Sequence, residues 1–267
     1  MISILGCGWL GFPLAKSFIT NGISVKGSTT QQQKTQVLSE NKIEPYLIEL
    51  SDNQHSSIIY EFLKNETLII NIPPGRYLSA NDKYLENLTT LNKYILNSNL
   101  KNVIFISSTS VYKNASAEIT EEGDIDAENK LFFAEQIFRE NKKINTTIIR
   151  MGGLFGPLRH PGRFFSGKPS VANGLVPVNM IHLDDCITII QKVIAQHYWN
   201  QTINACSPHH PTRKKFYTEA IKLYGGTIPD FVEENGQKKI ISPQKLIKDL
   251  DYQFIHPDLI KSLNTLV

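Results

Sequence analysis

Cysteine is scarce in this sequence. Three cysteines, Cys7, Cys186 and Cys206, occur among 267 residues, and no two of them form a CxxC pair. An odd number of widely spaced thiols argues against a disulfide framework and against a zinc site built on cysteine. We therefore expect a protein of a reducing compartment that holds no metal.

Long apolar runs and strong net charge are missing as well. No stretch reaches the roughly 18 apolar residues that a membrane-spanning helix needs, and the chain begins with an apolar strand and no charged leader. The formal net charge is only +3, and Lys and Arg form no long run, which argues against nucleic acid and anionic membranes as partners. We expect a cytoplasmic protein whose partner is a small anionic molecule.

Glycine, by contrast, is concentrated near the start of the chain. Three glycines in the sequence ILGCGWLG have the spacing GxGxxG, between an apolar stretch and an amphipathic one. In a strand, turn and helix of this kind, the glycines permit a tight turn, close approach of a pyrophosphate and close packing of the helix. The N-terminus of the helix favours an anion. The predicted dinucleotide contacts in this turn are Gly6, Gly8, Trp9, Leu10 and Gly11.

The stretch after the first helix bears on the choice between NAD and NADP. An NAD site of this type usually has an Asp or Glu about 20 residues past the glycines, whereas no acidic residue occurs between the last of these glycines and Glu40. The hydroxyls of Ser28, Thr29 and Thr30, with Lys34 nearby, can hold the 2′-phosphate of NADP without repulsion from a carboxylate. The sequence favours NADP, and a solvated loop without selectivity is the alternative.

Strand and helix patterns alternate over the first half of the chain. Apolar runs at 67–72 and 102–107 are typical of buried parallel strands, and amphipathic stretches at 56–65 and 84–97 predict helices. The alternation predicts an α/β fold, a Rossmann-type doubly wound parallel sheet. We expect a Rossmann domain over 1–152 and a smaller, partly interleaved substrate-side region over 153–267. Further expected elements are a strand at 204–208 and helices at 212–224 and 243–250.

Prolines end the first of these apolar runs. The sequence Pro73-Pro74-Gly75 follows the run directly, and the carboxyl ends of parallel strands are where such sheets bind ligands. The segment 71–76 is therefore expected to border the cofactor. Its predicted contacts are Asn71, Ile72 and Pro73.

Four stretches in the middle of the chain have the form of known motifs: SSTSVY (107–112), NKLFFAEQIF (129–138), IIRMGGLFGP (148–157) and IHLDD (181–185). Together they resemble the short-chain dehydrogenase/reductase superfamily, in its extended, epimerase/dehydratase-like branch. SSTSVY (107–112) is similar to the strand-end motif of the catalytic serine, which corresponds to Ser108. NKLFFAEQIF (129–138) is similar to the helix that follows the catalytic YxxxK, and Lys130 matches its lysine. IIRMGGLFGP (148–157) is similar to the sixth strand and IHLDD (181–185) to the start of the substrate-side region. The stretches GCGWLG and RHPGRFFSGK extend the likeness to the atypical, YeeZ-like group.

The family tyrosine is missing from this alignment. Four residues before Lys130, one helical turn away, stands Asp126. The resemblance implies that Ser108 orients a substrate carbonyl and that Lys130 holds the nicotinamide ribose. Losing one general acid typically costs about 10² to 10⁴ in rate. The resemblance therefore implies an NADP-dependent epimerase, dehydratase or reductase, and an inactive NADP-binding sensor or interaction protein is the alternative.

Four side chains are candidates for the missing proton carrier. His160 leads, because imidazole titrates near neutrality and its loop corresponds to a part of the family fold that faces the substrate; alternatively it only fixes the loop. Tyr112, at the end of the serine strand, is weaker because it resembles a structural VY pair. His182 more often braces a strand-to-helix junction, and Asp126 is a poor donor when ionised.

Cations gather in the same loop. Arg159, Arg163 and Lys168 lie within ten residues, and Arg can bind phosphate, pyrophosphate or carboxylate bidentately. The family uses this region for nucleotide-sugar phosphates, so the resemblance implies an anionic substrate such as a nucleotide sugar, and a possible homodimer. A solvated basic loop is the alternative. The sequence HHPTRKK (209–215) lacks partners at metal-site spacing, so no metal is expected there.

Overall fold

The computed structural model describes residues 1–50, 56–74, 81–233 and 236–266. Its strands are β1 (Ile2–Leu5), β2 (Val25–Thr29), β3 (Glu44–Leu47), β4 (Thr67–Ile70), β5 (Asn102–Ser108), β6 (Glu118–Ile119), β7 (Asn145–Met151), β8 (Gly153–Phe155), β9 (Ser170–Val171), β10 (Met180–His182), β11 (Thr202–Ala205), β12 (Asp230–Phe231) and β13 (Ile240–Ile241). Its α-helices are α1 (Gly11–Thr20), α2 (Gln32–Glu40), α3 (Ser56–Phe62), α4 (Asn81–Leu96), α5 (Lys130–Arg139), α6 (Leu183–Ala195), α7 (Arg213–Tyr224), α8 (Gln244–Leu250) and α9 (Leu259–Ser262). Short 3-10 helices span Thr109–Val111, Pro161–Phe164 and Leu263–Leu266.

Seven strands form the central sheet, in the order β11-β7-β5-β4-β1-β2-β3. β1 lies between β2 and β4 and is parallel to both, with Ile4 opposite Gly27 on one side and Ile69 on the other. β2 and β3 are parallel, as are β4 and β5. The chain proceeds outward from β1 in one direction and from β4 in the other, so the strand order reverses between these two strands. The predicted Rossmann-type, doubly wound α/β fold is confirmed.

The inner strands of the sheet are buried on both faces. Every residue of β1 and of β4 is buried, and Leu68, Ile69 and Ile70 are fully inaccessible to solvent. Helices cover both faces of such a parallel sheet, so its central strands are continuously apolar instead of alternating. The apolar run that predicted β4 is therefore explained by its central place in the sheet.

One helix was not expected from the sequence. The polar stretch after β2 continues into α2, which begins at Gln32 and places Lys34 in its first turn. Leu38 is its one buried residue, so the amphipathic pattern that identifies most surface helices is nearly absent. Tertiary contacts with the sheet, and not sequence periodicity, select the helix here.

The chain forms two compact units, each made of three segments. Unit 1 consists of Met1–Ser107, Asp126–Ile149 and Val193–Thr202. Unit 2 consists of Ser108–Ile125, Arg150–Lys192 and Ile203–Val267. Unit 2 has a core of its own, in which aromatic residues such as Phe155 and Phe216 are fully buried.

None of the helices in the described residues combines the length and the apolar character that a membrane crossing requires.

Candidate functional site

The glycines between β1 and α1 differ in what surrounds them. Gly6 has a φ of 100°, and a Cβ there would lie 2.6 Å from the carbonyl oxygen of Asn71. A Cβ at Gly11 would lie 2.2 Å from the carbonyl oxygen of Gly6. At Gly8, in contrast, a Cβ would meet no heavy atom of the described residues within 4 Å. The fold itself thus requires Gly6 and Gly11, whereas Gly8 leaves the backbone open to a ligand.

Hydrogen bonds from two other strands fix this turn. The backbone N–H of Gly6 donates at 2.9 Å to the buried hydroxyl of Ser28, which lies near the end of β2. The side-chain amide of Asn71, just beyond β4, donates to the carbonyl of Gly6 at 3.0 Å. Burial raises the pKa of the Cys7 thiol to about 12, so this thiol stays protonated and serves packing. The turn is rigid before any ligand binds, which lowers the entropic cost of binding.

The N-terminal end of α1 favours an anion chiefly through the helix dipole. Leu10 occupies the N-cap of α1, and within the described residues no side chain caps this end by a hydrogen bond. Phe12 N–H already donates to the carbonyl of Gly8 at 3.0 Å and Pro13 has no N–H, so the dipole, and not a row of free donors, attracts a negative group to this end. The arrangement suits a phosphate or pyrophosphate.

A cavity of about 570 Å³ opens beside this turn in unit 1. It lies where β1, β2, β3 and β4 reach their carboxyl ends, next to the reversal of strand order, which is the usual ligand position in open α/β sheets. The predicted residues that line it are Gly6, Gly8, Ser28, Thr29, Thr30, Lys34, Asn71, Ile72 and Pro73. Among the described residues, four predicted contacts do not line it: Trp9, Leu10, Gly11 and Lys130. Leu10 and Gly11 are instead buried beneath the turn.

Several lining residues were not predicted. They follow β3 or belong to the start of α4, and include Ile48, Glu49, Leu50, Lys83, Tyr84 and Asn87. The hydroxyl of Tyr84 is 3.2 Å from the carbonyl of Ile72, to which it donates, and burial raises its pKa. The rule that ligands bind at carboxyl ends of strands could have identified Glu49 and its neighbours, because β3 is also parallel. The predicted border segment is described here only as far as Pro74; positions 75 and 76 lie outside the described residues.

The two serines at the end of β5 differ in their environment. The Ser107 hydroxyl is buried and donates to Glu135 Oε1 at 2.6 Å, within unit 1. Ser108, the first residue of unit 2, is half-buried, and its hydroxyl oxygen accepts from the N–H of Ser110 at 3.1 Å. Ser107 therefore anchors α5, while Ser108 caps a short 3-10 helix and keeps a hydroxyl proton to donate.

The start of α5 corrects the expected geometry around Lys130. The helix begins at Lys130, and the Asn129 side chain caps it by accepting from Leu131 N–H at 3.0 Å. Asp126 precedes the helix, in a turn closed by a bond from Asn129 N–H to its carbonyl. The expectation that Asp126 lies one helical turn from Lys130 is therefore wrong. Because Asn129 is the N-cap, the helix starts only after Asp126, which therefore lies outside the helical repeat.

His160 is held by its own loop. Its Nδ1 accepts from Gly162 N–H at 3.1 Å, and its ring stacks on Tyr224 with centroids 5.3 Å apart. Burial lowers the pKa of His160, and within the described residues its buried Nε2 has no hydrogen-bond partner. The imidazole is thus neutral near pH 7, with the proton on Nε2.

The other two proton-carrier candidates also make structural contacts. The Tyr112 hydroxyl is buried and donates to Asn204 Oδ1 at 2.7 Å, and the Arg150 guanidinium lies 4.8 Å from its ring centroid. Burial raises the pKa of Tyr112. His182 Nδ1 accepts from the N–H of Asp184 at 3.2 Å, at the start of α6. Both side chains stabilise unit 2.

The three cations predicted to bind substrate are exposed side chains of unit 2. Arg163 donates to the carbonyl of Leu158 at 3.4 Å. The Lys168 ammonium lies 5.0 Å from the ring centroid of Phe165. Arg159, next to His160, belongs to the same exposed loop. These side chains can reach an anion from solvent without a desolvation cost in the free protein.

This chain is similar to several known proteins in sequence or in fold. No family model matches the sequence. Protein YeeZ of Escherichia coli K12 is 31% identical over 265 residues, covering 96% of each chain. A UDP-glucuronic acid 4-epimerase from Bacillus cereus, solved with UDP-glucuronic acid and NAD, has a TM-score of 0.77 at 16% identity over 99% of this chain and 96% of that one. MoeE5 with UDP-glucose and NAD gives 0.79 at 15%, with the same coverage.

The structural matches, at such low identity, show a shared fold, whereas the sequence match extends over nearly all of both chains. The chain therefore belongs to the YeeZ family, and it has the Rossmann-type fold that the solved UDP-glucuronic acid 4-epimerase also has.

Proposed function

We propose that this protein binds a nicotinamide dinucleotide in the cavity beside the glycine turn, and NADP in preference to NAD. The observation that carries the proposal is Gly8, whose Cβ position is open and borders a cavity of about 570 Å³. The dipole at the N-terminus of α1 favours the negative charge of the pyrophosphate. Solved proteins of the same fold contain NAD, which supports the same class of cofactor.

The preference for NADP rests on the side chains after β2. Thr29, Thr30 and Lys34 line the cavity, and hydroxyl and ammonium donors suit a 2′-phosphate. Glu49 lines the cavity too, and its carboxylate opposes the same phosphate. We expect Lys34 to outweigh Glu49, because two hydroxyls act together with the cation.

Calorimetric titration with NADP and NAD tests this balance. Lys34→Gln should lower NADP affinity at least about tenfold, as expected for a hydrogen bond to a charged group of about 1.5 kcal/mol or more, and leave NAD affinity unchanged. Glu49→Gln should raise NADP affinity. Lys16→Gln, an exposed position on α1 that does not line the cavity, is the matched control. Equal affinity for both nucleotides would remove the phosphate argument, and binding of neither would remove the cofactor proposal.

We further propose an epimerase-, dehydratase- or reductase-type enzyme that acts on an anionic small molecule such as a nucleotide sugar. Ser108 orients the reacting group, Lys130 holds the ribose and His160 carries the proton. The UDP-sugars in the two solved proteins support this substrate class, and the exposed cations Arg159, Arg163 and Lys168 supply charge complementary to it. A screen of nucleotide sugars tests for turnover: NADPH absorbance detects a reductase, and chromatography of the sugar products detects an epimerase or dehydratase, whose reactions are redox-neutral overall.

A binding protein without turnover is the second candidate. The start of α5 favours it, because Asp126 precedes the helix and the usual relation of tyrosine to lysine is absent from this turn. The two candidates differ in one result: tight NADP binding with neither nicotinamide turnover nor any new product in a broad carbonyl and nucleotide-sugar screen supports the sensor. We also propose membership of the atypical short-chain dehydrogenase group, a cytoplasmic location and a homodimer, the last of which sedimentation would test.

A further inference from the structure

Two histidines and a carboxylate meet at the start of α6, within unit 2. His182 ends β10, Asp184 lies in the first turn of α6, and His256 comes from the C-terminal segment before α9. His256 Nε2 lies 2.9 Å from Asp184 Oδ2, and His182 Nδ1 lies 3.4 Å from the same oxygen. One ligand atom from each residue lies within 4.8 Å of the other two.

These separations suit a first-row divalent metal. Zn²⁺ bonds of about 2.0 to 2.2 Å in tetrahedral geometry place the ligand atoms about 3.3 Å apart, and the distances of 2.9 and 3.4 Å lie on either side of this value. We propose that His182, Asp184 and His256 form a binding site for a divalent transition-metal ion, with Zn²⁺ as a suitable occupant. Three protein ligands leave at least one position for water.

The segment that carries His256 is anchored independently of this cluster. The carboxylate of Asp185 is fully buried and accepts from the Tyr252 hydroxyl at 2.8 Å and from the N–H groups of Ile255 at 2.8 Å and His256 at 3.1 Å. The backbone at His256 is thereby fixed against the start of α6. Supporting hydrogen bonds of this kind orient metal ligands in known sites.

His182 already has the form that a metal needs. It is 2% exposed, and the Asp184 N–H that donates to Nδ1 sets the tautomer with the lone pair on Nδ1. Its ring packs edge-on against Phe155 and lies 3.8 Å, centroid to centroid, from the ring of His256. A bound metal would replace the hydrogen bond from Asp184 N–H at this lone pair. The net affinity for the metal is therefore reduced by the free energy of one hydrogen bond.

The local charge also favours a cation. A helix N-terminus repels positive charge, but Asp184 and Asp185 both lie in the first turn of α6. Asp184 remains half-exposed, which gives a metal ion a path from solvent. Sequence spacing does not indicate this site, because His256 lies more than 70 residues beyond the other two ligands. The expectation that the protein holds no metal rested on its three cysteines and on the stretch 209–215.

Metal titration of the full chain tests the site. After dialysis against EDTA and then metal-free buffer, calorimetry with Zn²⁺ should show one ion per chain with a Kd of about 10 μM or tighter, and Co²⁺ should give the visible bands of a four-coordinate complex. His256→Gln and Asp184→Asn should each weaken Zn²⁺ binding by about 100-fold or more, beyond the usual effect of losing a supporting contact.

The control is His209→Gln. His209 Nδ1 lies 3.1 Å from Asp258 in the same unit, so this variant removes another imidazole from a His–Asp pair and should leave Zn²⁺ affinity within about twofold. Circular dichroism checks that each variant folds; if His256→Gln does not, Asp184→Asn, which changes a half-exposed side chain, decides. A wild-type Kd above about 1 mM, or equal affinity in Asp184→Asn, would overturn the proposal and leave only a hydrogen-bonded pair.

Discussion

Substituting alanine at Gly8 and at Gly11 should separate binding from folding. The two glycines lie three residues apart in the same turn, yet a Cβ at Gly8 meets open space and a Cβ at Gly11 lies 2.2 Å from the Gly6 carbonyl oxygen. Gly8 also has a backbone that other residues can adopt, since its φ is not in the left-handed region. Glycine-to-alanine substitution is therefore expected to impair ligand binding at Gly8 and folding stability at Gly11.

For Gly11→Ala we expect a loss of stability. A carbon normally approaches a carbonyl oxygen no closer than about 3.3 Å, so the turn must move by about 1 Å. Overpacking of this kind costs about 1 to 3 kcal/mol, and each kcal/mol lowers Tm by about 2 to 4 °C in a chain of comparable size. For Gly8→Ala we expect unchanged or slightly higher stability, because alanine restricts the unfolded chain.

Dinucleotide affinity, unlike stability, should be affected most clearly by the substitution at Gly8. In Gly8→Ala the added methyl occupies the space through which a pyrophosphate approaches the backbone, and NADP affinity should fall at least about tenfold, or 1.4 kcal/mol. Thermal denaturation and calorimetric titration of both variants provide the two measurements. Wild-type NADP affinity in a folded Gly8→Ala protein would refute the assignment of the cavity, and a wild-type Tm for Gly11→Ala would refute the packing account.

Three further substitutions address side chains of unit 2. Tyr112→Phe removes the buried hydroxyl that donates to Asn204 and should cost about 1 to 3 kcal/mol in urea denaturation, while any turnover persists; loss of turnover in a stable variant would reinstate Tyr112 as the proton carrier. His160→Gln should leave NADP affinity within about twofold and lower turnover about 10²-fold, and normal turnover would exclude His160. Burial lowers the pKa of His210, so the unfolded chain binds its proton more readily and stability should decline as pH falls below about 6.5; His210→Gln should flatten this decline, and an unchanged slope would contradict it.

The sheet and the glycine turn could be predicted because their signals are local. An apolar run such as Thr67–Ile70 is continuous in the sequence, and the GxGxxG spacing encodes a turn within six residues. The helix α2 was missed since its one buried residue, Leu38, leaves no periodic pattern. Glu49 was missed because it joins the cavity only through the pairing of β3 with β2.

Contacts between distant residues account for what sequence reasoning did not reach. The role of Ser28 in fixing the turn depends on Gly6, 22 residues away, and the same hydroxyl had been assigned only to the cofactor. The start of α5 depends on a single N-cap at Asn129. Aligning the sequence with a family motif does not identify such a cap. Neither feature has a signature in spacing alone.

The alternation of the chain between its two units constrains how it can be synthesised and divided. Unit 1 is incomplete until residue 202 has left the ribosome, because Ile148 N–H donates to Gln201 and Thr147 donates to the carbonyl of Tyr198. A chain ending at Gly152 would leave β7 without its neighbour β11 and turn a mostly buried seven-residue strand into an edge strand, which invites aggregation. Neither unit is one uninterrupted stretch of the sequence, so truncating the chain at a single point cannot yield either unit whole.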